Sequence, residues 1–127
     1  MLPYKDFTLK ARADDLGVFE KILMASGGKF IGTDFQKDTY FKTGRGKLKL
    51  RQGNLENLIT HYERVEEHGV ERTIVYRYDP DPTIEEIQNL VYCHEELGVI
   101  EKERKIYYIG HVKIHLDTLP DKRMFVE

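Results

Sequence analysis

The chain has little cysteine, no long apolar stretch and no excess of charge of either sign. Its single cysteine, Cys93, cannot form an internal disulfide, and cysteine and histidine do not occur at the spacing of a zinc site. This usage fits a reducing compartment, so we expect a cytoplasmic protein. No apolar run approaches the roughly 20 residues of a membrane-spanning helix, and the N-terminus lacks the apolar core of a signal peptide. The sequence therefore predicts a soluble protein without a membrane partner.

The charge balance limits the kinds of partner. Lysine and arginine together number 20 and aspartate and glutamate 22, so the net charge is close to zero. Such a chain lacks the general basic surface that long duplex nucleic acid favours, and a cationic site must be local. No phosphate-cradling glycine loop or nucleophile elbow is present, and TGRG at 43–46 indicates only a turn. At 127 residues the chain is expected to form one domain.

Basic residues occur at alternate positions in two segments. Lys49 and Arg51 alternate with leucines in GKLKLR, and Lys102 and Arg104 alternate with glutamates in IEKERKIYYIG. Side chains two apart in a strand share a face, so each segment presents a row of cations. Two interpretations stay open, because alternating lysine and leucine is also typical of the ordinary solvent and core faces of an antiparallel sheet.

Hydrophobic periodicity predicts an α+β domain. A first strand is expected over 5–12, a helix from Asp14 or Asp15 to Gly27-Gly28, and a second helix from near Thr83 to Gly98. The remaining strands are expected at 29–41, from 47, at 57–65, 70–79, 100–109 and 111–117, with a short extended end. Short hairpin links favour an antiparallel sheet, and about eight strands in so short a chain favour a curved sheet or barrel with the helices outside.

Cations on several strands that face one interior suit a phosphate chain, because each supplies charge-assisted hydrogen bonds. Either carboxylates or a polyanion should neutralise them. Asp6, Asp117 and Glu127 offer the oxygen ligands that Mg²⁺ or Mn²⁺ takes when it bridges phosphates. Tyrosines such as Tyr40 and Tyr62 either stack on a base or fill the core, and core filling is the expected role. The candidate phosphate ligands are Lys10, Lys49, Arg51, Arg64, Lys102 and Arg104.

Five blocks in a fixed order resemble the CYTH family, the triphosphate tunnel metalloenzymes, which includes class IV adenylate cyclases and thiamine triphosphatases. The blocks are KDFTLKAR, DTYFKTGRGKLKLRQGN, HYER, IEKERKIYYIGHVKIHLD and FVE. The resemblance implies a closed antiparallel β-tunnel that binds a triphosphate through basic residues and a divalent metal through acidic ones. It also implies a metal-dependent phosphoryl-transfer enzyme, with Mg²⁺ or Mn²⁺ as cofactor and ATP, thiamine triphosphate or tripolyphosphate as substrate.

The resemblance assigns roles by position. Lys10 resembles the lysine of the N-terminal Glu-x-Glu-x-Lys signature, and Arg64 lies near a tunnel-facing basic position. Lys49 with Arg51, and Lys102 with Arg104, resemble two basic pairs that contact phosphate. Asp117 and Glu127 resemble the late acidic residues.

Two departures from the family pattern bear on activity. Asp6 and Thr8 stand where the signature has glutamates, which should weaken metal binding because hard cations favour anionic oxygen ligands. The chain stops at Glu127, so we expect a single CYTH-like domain over 1–127 that lacks the family's C-terminal strand and helix, with an unpaired edge open to homodimer formation. The alternative function is a non-catalytic nucleotide- or polyphosphate-binding module. A single-stranded RNA binder is a third interpretation, which the net charge disfavours.

Overall fold

The computed structural model describes the backbone of residues 4–6 and 11–127 and the side chains of residues 11–127. The helices are α1 (Leu16–Ala25) and α2 (Ile84–Cys93). The strands are β1 (Tyr4–Asp6), β2 (Ala11–Ala13), β3 (Lys29–Phe41), β4 (Lys47–Gln52), β5 (Asn57–Glu67), β6 (Val70–Pro80), β7 (Glu96–Ile109), β8 (Val112–Thr118) and β9 (Met124–Val126). Neither helix is long and apolar enough to cross a membrane.

The strands form one sheet in the order β1-β6-β5-β4-β3-β7-β8-β9-β2. Neighbouring pairs run antiparallel, as in β4 with β5 and β7 with β8. The predicted α+β class with an antiparallel sheet is thereby confirmed. The predicted first strand, 5–12, corresponds to β1 and β2, and residues 7–10 between them lie outside the described part. The two strands at the ends of this order, β1 and β2, are therefore consecutive in the chain.

The chain divides into two compact units. The first comprises Met1–Thr8 and Lys37–Ile100, and the second comprises Leu9–Gln36 and Glu101–Glu127. Each unit has a helix and a separate cluster of buried apolar residues.

In the first unit, α2 covers one face of β4 and its neighbours. Thr83 begins the helix with a capping box, in which its side chain accepts from the Glu86 backbone and the Glu86 side chain accepts from the Thr83 backbone. The helix places Leu90 and Ile87 in an apolar cluster with residues of three strands. Those strand residues are Phe41, Leu48, Leu50 and Ile59.

The second helix ends earlier than its sequence predicts. The apolar pattern favoured a helix as far as Gly98, but α2 ends at Cys93 and β7 begins at Glu96. His94 already has extended backbone angles, and the Lys42 amide donates to the Glu95 carbonyl at 2.8 Å. Sheet pairing therefore overrides the helical periodicity at this point. Cys93, the last residue of α2, is exposed.

In the second unit, α1 packs on the ends of β7 and β8. Asp15 caps the helix by accepting from the Gly17 amide at 2.8 Å, which confirms one of the two predicted caps. Leu16 and Leu23 lie in a buried cluster with Tyr107 and Leu116. Side chains that alternate with Tyr107 on β7 and with Leu116 on β8 consequently project from the other face of the sheet.

Candidate functional site

The basic side chains of β4 lie on the face of the sheet opposite α2. Leu48 and Leu50 pack in the core beside α2, so Lys49 and Arg51, which alternate with them, project from the other face. That face is not solvated at these positions, because the Lys49 side chain is 11% exposed and the Arg51 side chain 8%. The interpretation as an ordinary solvent face does not describe these two residues.

A buried aspartate holds both cations. Asp38 lies directly opposite Arg51 in the register of β3 and β4. Arg51 Nε and Nη2 each donate to one Asp38 carboxylate oxygen at 2.9 Å, and Lys49 Nζ lies 4.0 Å from Asp38 Oδ2. A two-pronged bond of this kind fixes the plane of the guanidinium, so Asp38 determines where Arg51 points. We call Asp38, Lys49 and Arg51 the β4 cluster.

Two tyrosines border the β4 cluster. Lys49 Nζ lies 5.3 Å from the ring centroid of Tyr62, and Arg64 Cζ lies 5.7 Å from the same centroid. Tyr40 is opposite Lys49 in the register of β3 and β4. Burial raises the pKa of both phenols above the ordinary value, so both stay neutral. These rings are therefore packed among cations within the protein, in line with the expected core-filling role.

The second Lys-x-Arg pair has the same arrangement on β7. Arg104 lies opposite Asp117 in the register of β7 and β8, and its Nε and Nη2 donate to the two Asp117 oxygens at 2.8 and 2.9 Å. Lys102 Nζ lies 3.4 Å from Asp117 Oδ2, and Glu127 Oε2 lies 3.8 Å from Arg104 Nη2. The Lys102 and Arg104 side chains are only 10% and 4% exposed. We call these four residues the β7 cluster.

The charge state of Asp117 follows from its neighbours. Burial by itself would raise the pKa of this carboxyl, but the hydrogen bonds and charge of Arg104, with the charge of Lys102, outweigh burial and hold the pKa at about 2. Asp117 is therefore ionised at neutral pH, and its ion pair with Arg104 is a permanent part of the β7 cluster.

The two clusters have the same arrangement, in which a buried aspartate binds the cations of a Lys-x-Arg pair. The sequence predicted only part of this arrangement. The Lys-x-Arg pairs were expected, and Asp117 was expected as a metal ligand, but Asp38 was missed. The signal for Asp38 was the block DTYF before the turn TGRG, because a hairpin closed by that turn brings Asp38 opposite Arg51. Gly46 closes the turn at a φ of 62°, where a Cβ would collide with the Tyr62 carbonyl.

Two more buried polar residues on β3 were also missed. Asp34 and Gln36 alternate with Asp38 along the strand, and Gln36 Nε2 donates to Asp34 Oδ2 at 2.7 Å. The alternation Asp-x-Gln-x-Asp was readable in the sequence as a polar face. Aromatic and β-branched residues dominate the same segment and obscure that polar face in the sequence.

The structure places seven of the predicted site residues in or beside the two clusters. Lys49 and Arg51 belong to the β4 cluster, and Arg64 lies beside it on β5, half-exposed and 3.5 Å from Glu71. The β7 cluster contains Lys102, Arg104, Asp117 and Glu127. Lys10, Thr8 and the side chain of Asp6 lie outside the described residues.

Asp117 and Glu127 are the two predicted metal ligands whose side chains lie in the described part of the chain. Within residues 11–127, no three acidic, histidine or cysteine side chains converge as a metal site would require. Asp117 and Glu127 have the hard oxygen donors that Mg²⁺ and Mn²⁺ prefer, and Arg104 lies within 4 Å of both. The described donors fit these cations in chemical type but number only two.

Comparisons with known proteins cover almost the whole chain. The family model described as the CYTH domain matches residues 7–127. The PH1012 protein of Pyrococcus horikoshii OT3 aligns with a TM-score of 0.75 at 22% identity, covering 98% of this chain and 76% of that protein. A conserved hypothetical protein of Pyrococcus furiosus aligns with a TM-score of 0.73 at 18% identity over the same shares of the two chains. The PH1819 protein of Pyrococcus horikoshii OT3 has a TM-score of 0.61 at 18% identity, with 98% and 75% covered. No curated protein sequence matches the chain.

Proposed function

Because the chain belongs to the CYTH family, whose members bind triphosphates and are generally metal-dependent, we propose that it is a phosphoryl-transfer enzyme acting on a triphosphate. The basic residues of the β4 and β7 clusters, with Arg64 and Lys10, contact the phosphates in this proposal. The substrate is ATP, thiamine triphosphate or inorganic tripolyphosphate.

One observation carries the proposal more than any other. Two Lys-x-Arg pairs are almost completely buried, and a buried aspartate orients each arginine. Burial of charge costs free energy, so buried cations are not expected on a face of the sheet unless that face binds a polar or charged group. Oriented guanidinium groups that need no rearrangement are well suited to stabilise the charge that develops on a phosphoryl group during transfer.

The residues present have distinct tasks in the proposed reaction. Arg51 and Arg104 hold phosphate oxygens through charge-assisted hydrogen bonds, and Lys49 and Lys102 add positive charge beside them. Asp117 and Glu127, with Asp6, would hold a divalent cation, which when bound neutralises charge on the phosphates. Hydrolysis further needs an oriented water molecule, and cyclisation needs the ribose 3′ hydroxyl aimed at the α-phosphate.

The second candidate is a binding module that senses a triphosphate without turnover. Thr8 in place of a signature glutamate supports it, because a neutral hydroxyl binds a hard cation more weakly than a carboxylate. The bidentate bond of Asp117 to Arg104 supports it too, since both carboxylate oxygens already accept hydrogen bonds.

Titration with tripolyphosphate, ATP and thiamine triphosphate distinguishes the candidates. We expect binding of a triphosphate with 1:1 stoichiometry in a calorimeter, together with release of phosphate or formation of cyclic AMP when Mg²⁺ or Mn²⁺ is added. Binding without either product would favour the sensing module. The absence of binding for all three ligands would contradict both candidates.

Thr8→Glu is expected to tighten Mn²⁺ binding by about ten-fold, because it restores an anionic oxygen ligand to the signature. Calorimetric titration of Mn²⁺ into the two proteins measures the difference. Gln88→Glu is the matched control, since it adds the same charge on the exposed side of α2. Equal Mn²⁺ affinity in Thr8→Glu and Gln88→Glu would count against the assignment of the signature.

A further inference from the structure

Tyr62 is in contact with cations from two different positions of the first unit. Lys49 on β4 and Arg64 on β5 both lie within 6 Å of its ring centroid, at 5.3 and 5.7 Å. The Tyr62 residue is only 7% exposed. Attraction between a cation and an aromatic face strengthens when water is excluded, so the contact of the mostly buried Lys49 with Tyr62 is stronger than the same contact on a surface.

The strand pairing beside Tyr62 is irregular. His61 pairs with Arg77 and Tyr62 pairs with Val75, so β6 has one extra residue, Tyr76, at this step of the ladder. Bulges of this kind redirect side chains and are frequent beside functional sites. Tyr62 lies at this irregularity, and its burial restricts movement of the ring.

From this geometry we infer that Tyr62 is a positioning residue, whose ring holds Lys49 and Arg64 in place for the phosphates. The two side chains carry like charges and repel each other, and long flexible side chains lose conformational entropy when they are held in one position. The electron-rich ring face attracts both and offsets part of that cost. The inference rests on the proposed function, and it adds to it a residue that contacts the cations and not the ligand.

Two substitutions of Tyr62 distinguish the effect of the aromatic ring from the effect of side-chain size. Tyr62→Phe keeps the aromatic face and is expected to bind tripolyphosphate within about two-fold of the wild type. Tyr62→Leu keeps an apolar side chain but no aromatic face, and its affinity is expected to be about ten-fold lower. Calorimetric titration at low ionic strength, with the melting temperature of each variant, measures the two effects.

Tyr76→Leu is the matched control. The Tyr76 ring also has a cation nearby, with Arg45 Cζ at 5.7 Å, but it contacts His61 and Glu63, which alternate with Tyr62 and lie on the opposite face of β5. We expect this variant to bind tripolyphosphate within about two-fold of the wild type. A loss equal to that of Tyr62→Leu would overturn the assignment to Tyr62.

Two results distinguish a failure of the role of Tyr62 from a failure of the proposed function. If the wild-type protein binds none of the triphosphates, both are overturned. If the wild type binds tripolyphosphate and Tyr62→Leu binds it equally well, only the role of Tyr62 is overturned.

A spectroscopic measurement on Tyr62→Phe tests the role of Tyr62 even if Tyr62→Leu does not fold. The chain has eight tyrosines and no tryptophan, so its near-ultraviolet spectrum reports on phenols. Tripolyphosphate is expected to draw Lys49 and Arg64 toward its oxygens, which changes the field at the Tyr62 ring and gives a tyrosine difference spectrum. In Tyr62→Phe we expect that signal to fall to less than about half while the affinity is kept. An undiminished signal in Tyr62→Phe would overturn the inference.

Discussion

Replacing Asp117 with asparagine is expected to lower the free energy of unfolding by about 3 kcal/mol at neutral pH. The buried Asp117 carboxylate accepts two hydrogen bonds from Arg104 and lies 3.4 Å from Lys102 Nζ. Asparagine retains the size of the side chain but removes the charge, so two buried cations lose the group that offsets their desolvation. Equilibrium unfolding in urea, followed by circular dichroism, measures the loss.

The dependence of stability on pH provides a second measurement of the same pair. The pKa of Asp117 is about 2 in the folded protein against an ordinary value of 3.8. Because the folded pKa is the lower one, the ion pair contributes fully above about pH 4 and is lost as the pH falls toward 2, with a total of about 2 kcal/mol. The asparagine variant, which has no carboxyl to protonate at this position, should lose correspondingly less stability across that interval.

Asp121→Asn is the control for Asp117→Asn. Asp121 also pairs with an arginine, with Arg123 Nε 2.6 Å from Asp121 Oδ2, but both side chains are more than half exposed. An exposed pair is screened by water, so we expect a much smaller change than in Asp117→Asn. Losses of equal size in the two variants would show that burial is not the source of the effect.

Local features of the fold followed from the sequence because they depend on neighbouring residues. Asp14 or Asp15 was predicted to begin α1, and α2 was predicted to begin near Thr83. Both starts depend on side chains that bond to amides two or three residues away. The β4 segment was predicted from alternation, which requires only that one face of a strand be apolar. The premature end of α2 was not predicted, because it depends on pairing with Lys42, some fifty positions earlier in the sequence.

The partners of the cations could not be predicted from alternation alone. A strand with lysine or arginine at every second position reads the same whether that face is solvated or buried, and only the three-dimensional structure shows that Lys49 and Arg51 are covered. The position of Asp38 depends on the hairpin register, which a shift of one residue would move to the opposite face. Resemblance to a family supplied the expectation of a phosphate site from the order of the blocks. It did not show that a buried aspartate orients each arginine.

Replacing Arg51 and Asp38 together, as Arg51→Met with Asp38→Leu, is expected to lower the affinity for tripolyphosphate about 100-fold while the free energy of unfolding changes by less than about 1 kcal/mol. Exchange of the Arg51 and Asp38 pair for apolar side chains removes one buried positive and one buried negative charge together, and Lys49 loses only its 4.0 Å contact with Asp38. Removal of Arg51 alone would leave Asp38 buried without its two hydrogen bonds. The double variant therefore separates the binding task of Arg51 from its structural one. Calorimetric titration and urea unfolding of the same preparation measure both quantities.

The control for that double variant is Lys105→Met with Glu20→Leu. Lys105 Nζ lies 2.9 Å from Glu20 Oε1 on α1, so this change also removes one cation and one carboxylate that are paired. Lys105 alternates with Arg104 on β7 and projects toward the helix, away from the face that carries the proposed phosphate ligands. The variant Lys105→Met with Glu20→Leu should therefore bind tripolyphosphate within about two-fold of the wild type. A 100-fold loss there, or full affinity in the Arg51 and Asp38 variant, would contradict the placement of the phosphate ligands on the face that bears the β4 cluster.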